Sequence, residues 1–99
     1  MIFNMDILFI NPPWHKESGN IWKGVSSCMP PFGLALLASL AREKNYSVSI
    51  LDCNALRLGL DQVEENLPKE APKFVGLTAT TRLFENALFV ARIVKRKYP

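Results

Sequence analysis

The 99-residue sequence is poor in the residues that build metal centres. It holds one histidine, His15, and two cysteines, Cys28 and Cys53, which lie far apart with no metal-type spacing. One imidazole and two isolated thiols do not complete a zinc or iron–sulfur site within a single chain. Free thiols of this kind fit a cytoplasmic protein. Neither GxGxxG nor GxxxxGKS/T occurs, which removes the dinucleotide fingerprint and the P-loop. No apolar run approaches the roughly 20 residues that span a bilayer. No basic segment precedes a long apolar core at the N-terminus, so no signal peptide and no membrane association are expected. The net charge is only +3. Lysines and arginines are scattered, with no basic stripe interleaved with aromatics, so no nucleic-acid partner is expected. Their one cluster, Lys95-Arg96-Lys97, falls at the end of a predicted helix and opposes the negative end of its dipole.

What is present is ordinary for one small globular domain: 48% hydrophobic and 21% charged residues. The chain is organised around Ile7, Leu8, Phe9 and Ile10, an unbroken apolar run running into Asn11-Pro12-Pro13. The run is too short for a helix and rich in strand formers. A strand apolar on both faces belongs in the middle of a covered sheet. The two prolines then end it, because proline cannot donate to a ladder. The spacing predicts strand one over 6–10.

A long polar segment follows, Trp14 to Ser27, containing Trp14, Trp22 and two glycines without a clear period. Loops of this length in small domains are functional or mobile, and the tryptophans imply packing on a ligand or another domain. Pro30 and Pro31 then stand at a helix start, where a missing N–H costs nothing. Leu34, Leu37, Ala38, Leu40 and Ala41 recur at helical spacing up to Arg42-Glu43-Lys44, and Asn45 suits a left-handed cap. Val48, Ile50 and Leu51 form strand two, closed by Asp52. Leu56, Leu60, Val63 and Leu67 predict a loosely amphipathic helix with Asp61 at its start, ended by Pro68 and Pro72. Residues 73–77 form strand three. A last helix carries Leu83, Ala87, Val90, Ala91 and Val94 on one face, broadened by Phe84 and Leu88.

The order is therefore β-α-β-α-β-α, with connections that suit right-handed parallel crossovers. Another strand is expected directly after Pro99, so the chain reads as the first part of a doubly wound domain.

In an open α/β sheet, ligands bind beyond the carboxyl ends of the strands. Asn11, Pro12 and Pro13 lie there, either lining a pocket or simply ending a strand. His15 follows, either as a ligand or base or as an exposed bystander. Gly33 lets the backbone approach a neighbour, either the sheet or a ligand. Asp52 either meets a ligand hydroxyl or caps the turn after strand two. Thr78, Thr80 and Thr81 offer hydroxyls before a helix N-terminus, either to a ligand or as caps. No catalytic residue and no metal ligand emerges.

Taken together, residues 6–13, Pro30-Pro31-Phe32-Gly33-Leu34, residues 48–52 and residues 74–78 resemble one known family. It is the N-terminal cobalamin-binding domain of cobalamin-dependent radical S-adenosylmethionine enzymes, and the similarity spans nearly all of 1–99. The resemblance implies a flavodoxin-like (Rossmann-like) parallel sheet, three strands in order 2-1-3, holding cobalamin (vitamin B12) over the strand ends. It brings Asn11 to Pro13, Pro31, Phe32, Gly33, Asp52, Thr78, Thr80 and Thr81 towards the cofactor. It also implies a C-terminal radical domain that binds a 4Fe-4S cluster and S-adenosylmethionine and performs methyl transfer or related chemistry. The DxHxxG motif of other cobalamin proteins is absent, since Asn11, His15 and Gly19 stand in its place. His15 is thus not expected to ligate cobalt. The CxxxCxxC of the radical domain and the Gly-Gly turn after a fourth strand are also absent, so this chain alone is not expected to be an enzyme.

The alternative from the residues is a flavodoxin-like assembly domain without cofactor. A receiver domain is disfavoured, because residues 78–81 hold no phosphorylatable aspartate. In either case strand three has an open edge, and bare edges pair with other chains. A homo-oligomer or domain swap through that edge is expected.

Overall fold

A computed structural model describes residues 5–14 and 31–98. His15, Gly19, Trp22, Cys28 and Pro30 lie outside the described residues. Three strands form one parallel sheet: β1 (Ile7–Asn11), β2 (Val48–Asp52) and β3 (Phe74–Leu77). The order is β2-β1-β3, with Phe9 opposite Ile50 on one side and Gly76 on the other. The uninterrupted apolar run takes the centre, as expected for a strand that meets protein on both faces. Asp6 fastens its start. The Ser47 N–H donates to Asp6 Oδ2 at 2.9 Å, Asp6 N–H donates to Ser47 Oγ at 2.8 Å, and Lys73 Nζ lies 3.1 Å from Oδ1. These contacts, the Ser47 N–H foremost, hold the Asp6 carboxyl below its ordinary pKa.

Alternation along β1 divides the molecule. Leu8 and Ile10 point into the main core, with Cys53, Leu60, Val63, Leu67, Val90 and Ile93. Ile7 and Phe9 face the other side and are only half-buried. Helix α1 (Phe32–Glu43) covers that second side, chiefly over β2. It buries only Leu34 and Ala38, while Leu36, Leu37 and Leu40 stay exposed. The predicted inward face of α1 is therefore too wide. Among the described residues this helix packs on β2 and β1, and Phe74 on β3 is 71% exposed. The helix ends as expected. Asn45 takes φ 68°, Tyr46 N–H donates to Ala41 O, and Asn45 N–H donates to Arg42 O. That pair of bonds is a Schellman motif.

The segment between β2 and β3 differs from expectation. In place of one helix it holds turns followed by two 3-10 segments, Leu60–Gln62 and Glu64–Asn66. Arg57 at φ 57° and the extended Gly59 break any continuous helix, and Gly59, not Asp61, precedes the first segment. Leu60, Val63 and Leu67 still reach the core, because successive short turns present the same three positions as a helix face. Leu56 does not, and is exposed.

Helix α2 (Phe84–Lys97) closes the core with Ala87, Val90 and Ile93. Phe84 and Leu88, expected to broaden that face, are exposed. The basic cluster at its end does more than oppose a dipole. Lys97 Nζ donates to Glu64 O at 3.1 Å and Leu67 O at 3.4 Å, and Arg96 pairs with Glu64. Tyr98 donates to Pro68 O. No described helix is long and apolar enough to cross a membrane.

One glycine position is sterically required. A Cβ on Gly76 would lie 2.7 Å and 2.9 Å from two ring carbons of Phe9 on the neighbouring strand. Gly76→Val is therefore expected to cost about 1–3 kcal/mol, read as a lower urea midpoint. Adding Phe9→Leu should restore part of the loss; additive losses would show that the two side chains do not collide.

Candidate functional site

The topology gathers the carboxyl ends of all three strands, the start of α1 and the start of α2 along one rim. The centre of that rim is the chain leaving β1. Two consecutive prolines remove two N–H groups, so the ladder stops while the carbonyls there still need donors. Side-chain amides supply them. Asn54, just after β2, donates from Nδ2 to Pro12 O at 3.1 Å and accepts the Trp14 N–H on Oδ1 at 2.9 Å. Asn86, in the first turns of α2, donates from Nδ2 to Pro13 O at 2.9 Å and Trp14 O at 3.4 Å. Residues 12–14 are thus suspended between two amides, one from each flank of the sheet.

Asp52 anchors the β2 side. Its Oδ1 accepts from Asn11 Nδ2 at 3.0 Å, from Asn54 N–H at 3.2 Å and from Ala55 N–H at 3.2 Å. Of its two sequence readings the turn cap is therefore realised, with a cross-strand bond to Asn11 added. Beside it, Cys53 is fully buried, and burial, followed by the Asp52 charge, pushes its thiol pKa up to about 12. It is a neutral core residue at physiological pH, not a nucleophile.

The expected site residues occupy two levels. Asn11, Pro12 and Pro13 are buried, and the Asn11 amide is committed to Asp52. They form the floor beneath the rim. Pro31 and Thr78 are half-buried, as is Asp52, while Phe32, Gly33, Thr80 and Thr81 are exposed. A Cβ on Gly33 would meet nothing within 4 Å among the described residues, so close approach to the sheet is not the reason for a glycine there. Thr80 precedes the short 3-10 turn Thr81–Leu83 but makes no side-chain cap bond. Leu83, the residue just before α2, makes none either. The capping reading of the threonines is thus not realised at those two starts.

Asn54, Asn86 and the aromatic–cation pair of Trp14 and Arg82 went unread in the sequence. The Arg82 guanidinium lies 5.8 Å from the centre of the Trp14 ring, within cation–π range. The signal that pointed to the two asparagines was the Pro12-Pro13 pair itself, which demands donors from outside the ladder. A groove of about 570 Å³ runs between Leu60–Gln62 and α2, lined by Leu60, Leu88 and Phe89 among others. None of the expected site residues lines it. A smaller groove of about 320 Å³ follows the free edge of β3 against Val94 and Tyr98. Among the described residues no three acidic, histidine or cysteine side chains are grouped to hold a metal.

The exposed groups of the rim match the chemistry of a flat, amide-fringed macrocycle. Exposed rings at Trp14 and Phe32 offer apolar faces, and the hydroxyls of Thr80 and Thr81 offer donors and acceptors. These groups suit such a ligand.

The family profile described as B12 binding domain matches residues 23–99. A Pyrococcus horikoshii protein named as an uncharacterized methyltransferase is 41% identical over 91 residues, covering 92% of this chain. The match spans only 19% of that relative's length. No solved structure is matched significantly.

Proposed function

Because the chain belongs to the B12 binding domain family, we infer that it is the cobalamin-binding module of a larger radical S-adenosylmethionine methyltransferase. The observation that carries the reading is the rim itself, a locked loop bearing exposed rings and hydroxyls at the strand ends. The name of the Pyrococcus relative supports methyl transfer, and its much greater length supports a partner domain. In this reading the 4Fe-4S cluster and S-adenosylmethionine belong to a C-terminal radical domain. When bound, the corrin supplies the methyl-carrying chemistry. The chain's own residues bind and orient it: Phe32 by apolar contact, Thr80 and Thr81 by hydrogen bonds, with Asn11, Pro12, Pro13, Asp52 and Thr78 supporting them from below. Pro31 sets the start of α1 and Gly33 leaves open ground beside it. A substrate-binding role belongs elsewhere.

The test is titration with hydroxocobalamin, followed by desalting and visible absorbance. Retained corrin with a shifted spectrum is expected, near one per chain. Passage of all the corrin into the small-molecule fraction would overturn the reading. One observation favours the alternative, an assembly domain without cofactor. Phe32, Leu36, Leu37 and Leu40 form an exposed apolar ridge along α1, and such ridges mark contact surfaces. Loss of corrin retention together with stable complexes would select it. Self-association itself is expected at the outer edge of β3, beyond which no strand pairs among the described residues and which the groove beside Val94 and Tyr98 accompanies. Light scattering of the same sample should report a mass above the monomer, and a monomer at high concentration would rule that edge contact out.

A further inference from the structure

Trp14 is 42% exposed, yet both ends of its backbone are held by side-chain amides. A surface residue has water available to satisfy these groups, so ordering two asparagines for it gains little in satisfaction alone. What the arrangement does gain is a fixed backbone beneath the ring, with a guanidinium set against the ring itself. Asn54 takes the Trp14 N–H, Asn86 reaches the Trp14 carbonyl, and Arg82 lies across the ring. An aromatic already held in place loses little freedom when a ligand covers it.

Resting on the cobalamin reading above, we propose that Trp14 is a cofactor-contacting residue, its ring packing on the apolar periphery of the corrin, and that Asn86 is the positioning residue that aims it. Arg82 lies 5.8 Å from the ring centre, and Trp14 is still 42% exposed. The Asn86 Nδ2 donates only to the loop carbonyls of Pro13 and Trp14, which makes its role one of positioning.

The experiment is a double-mutant cycle on hydroxocobalamin affinity, with Trp14→Ala, Asn86→Ala and both together, and Trp14→Phe as the conservative control. Trp14→Ala should weaken binding roughly tenfold, the size of one lost aromatic contact, and Trp14→Phe should recover most of it. Asn86→Ala should weaken binding several-fold with Trp14 present and have no effect once Trp14 is alanine. Multiplying losses would make Asn86 a general structural residue and overturn its assignment. Unchanged affinity in Trp14→Ala would overturn the assignment of Trp14 while leaving the cobalamin reading intact. Absence of binding in the unaltered protein would instead remove the cobalamin reading. If Asn86→Ala does not fold, the two Trp14 variants still decide the contact. Tryptophan emission in a Trp22→Phe background adds a readout without ligand: Asn86→Ala should shift the Trp14 maximum if the ring is released, and an unshifted maximum would oppose the aiming role.

Discussion

An Ile10→Ala variant should lose about 2–5 kcal/mol of stability, a large part of the roughly 5–15 kcal/mol that holds a domain together. Ile10 has no exposed surface and packs among Val63, Val90 and Cys53 in a core with nothing free to fill the gap. The neighbouring Phe9 is larger, yet Phe9→Ala should cost less, about 1–2 kcal/mol, because its ring is only half-buried. The contrast is informative because both residues lie on one strand, one position apart. It tests the division of the sheet into a packed face and a thinly covered one. Urea unfolding of both variants measures it, at unchanged denaturant slope. Equal losses would mean that the α1 side is as well packed as the other.

Asp52→Ala should cost about 2–4 kcal/mol, and the loss should fall on the rim as well as on stability. One carboxyl oxygen receives three hydrogen bonds, and its removal strands the Asn11 amide, which is only 8% exposed. Asn54 would also lose the anchor of its backbone N–H, so both ends of the Pro12–Trp14 support would loosen. Asp52→Asn keeps an acceptor oxygen and should lose much less. Thermal melting distinguishes them: at about 4–8 °C per kcal/mol for a domain of this size, the alanine variant should melt many degrees lower. A shift of under 2 °C for Asp52→Ala would show that the hydrogen-bonded turn is not what holds this end of the sheet.

The three strands were readable because each is a short apolar run bounded by polar or proline residues, and burial on both sides imposes that composition on β1. Their order, 2-1-3, was not readable from periodicity. It came with the resemblance, since apolar runs carry no record of their neighbours. The region from Leu56 to Leu67 misled for a physical reason. Leu60, Val63 and Leu67 are spaced three and four apart, which suits a helix face and equally suits two successive 3-10 turns. What decides between them is Arg57 in a left-handed conformation, an arginine giving no hint of it. Leu37 and Leu40 misled differently. Their spacing is helical and the helix exists, but amphipathic pattern states how much apolar surface a helix has, not how much is covered by the described residues. At the rim, residue type narrowed Asp52 to two roles without choosing, and only the geometry of its three donors selected the turn.

The central place of β1 also has a consequence for how the chain matures. Its partners begin at Val48 and at Phe74, so the earliest of these three strands to be synthesised is flanked on both edges only when the last one is made. At about 5–20 residues per second, the apolar run from Ile7 to Ile10 spends several seconds outside any completed sheet. Parallel pairing across such separations is intrinsically slow. The growing polypeptide therefore carries this apolar segment incompletely paired until β3 emerges, and production in cells should respond to chaperone supply during synthesis.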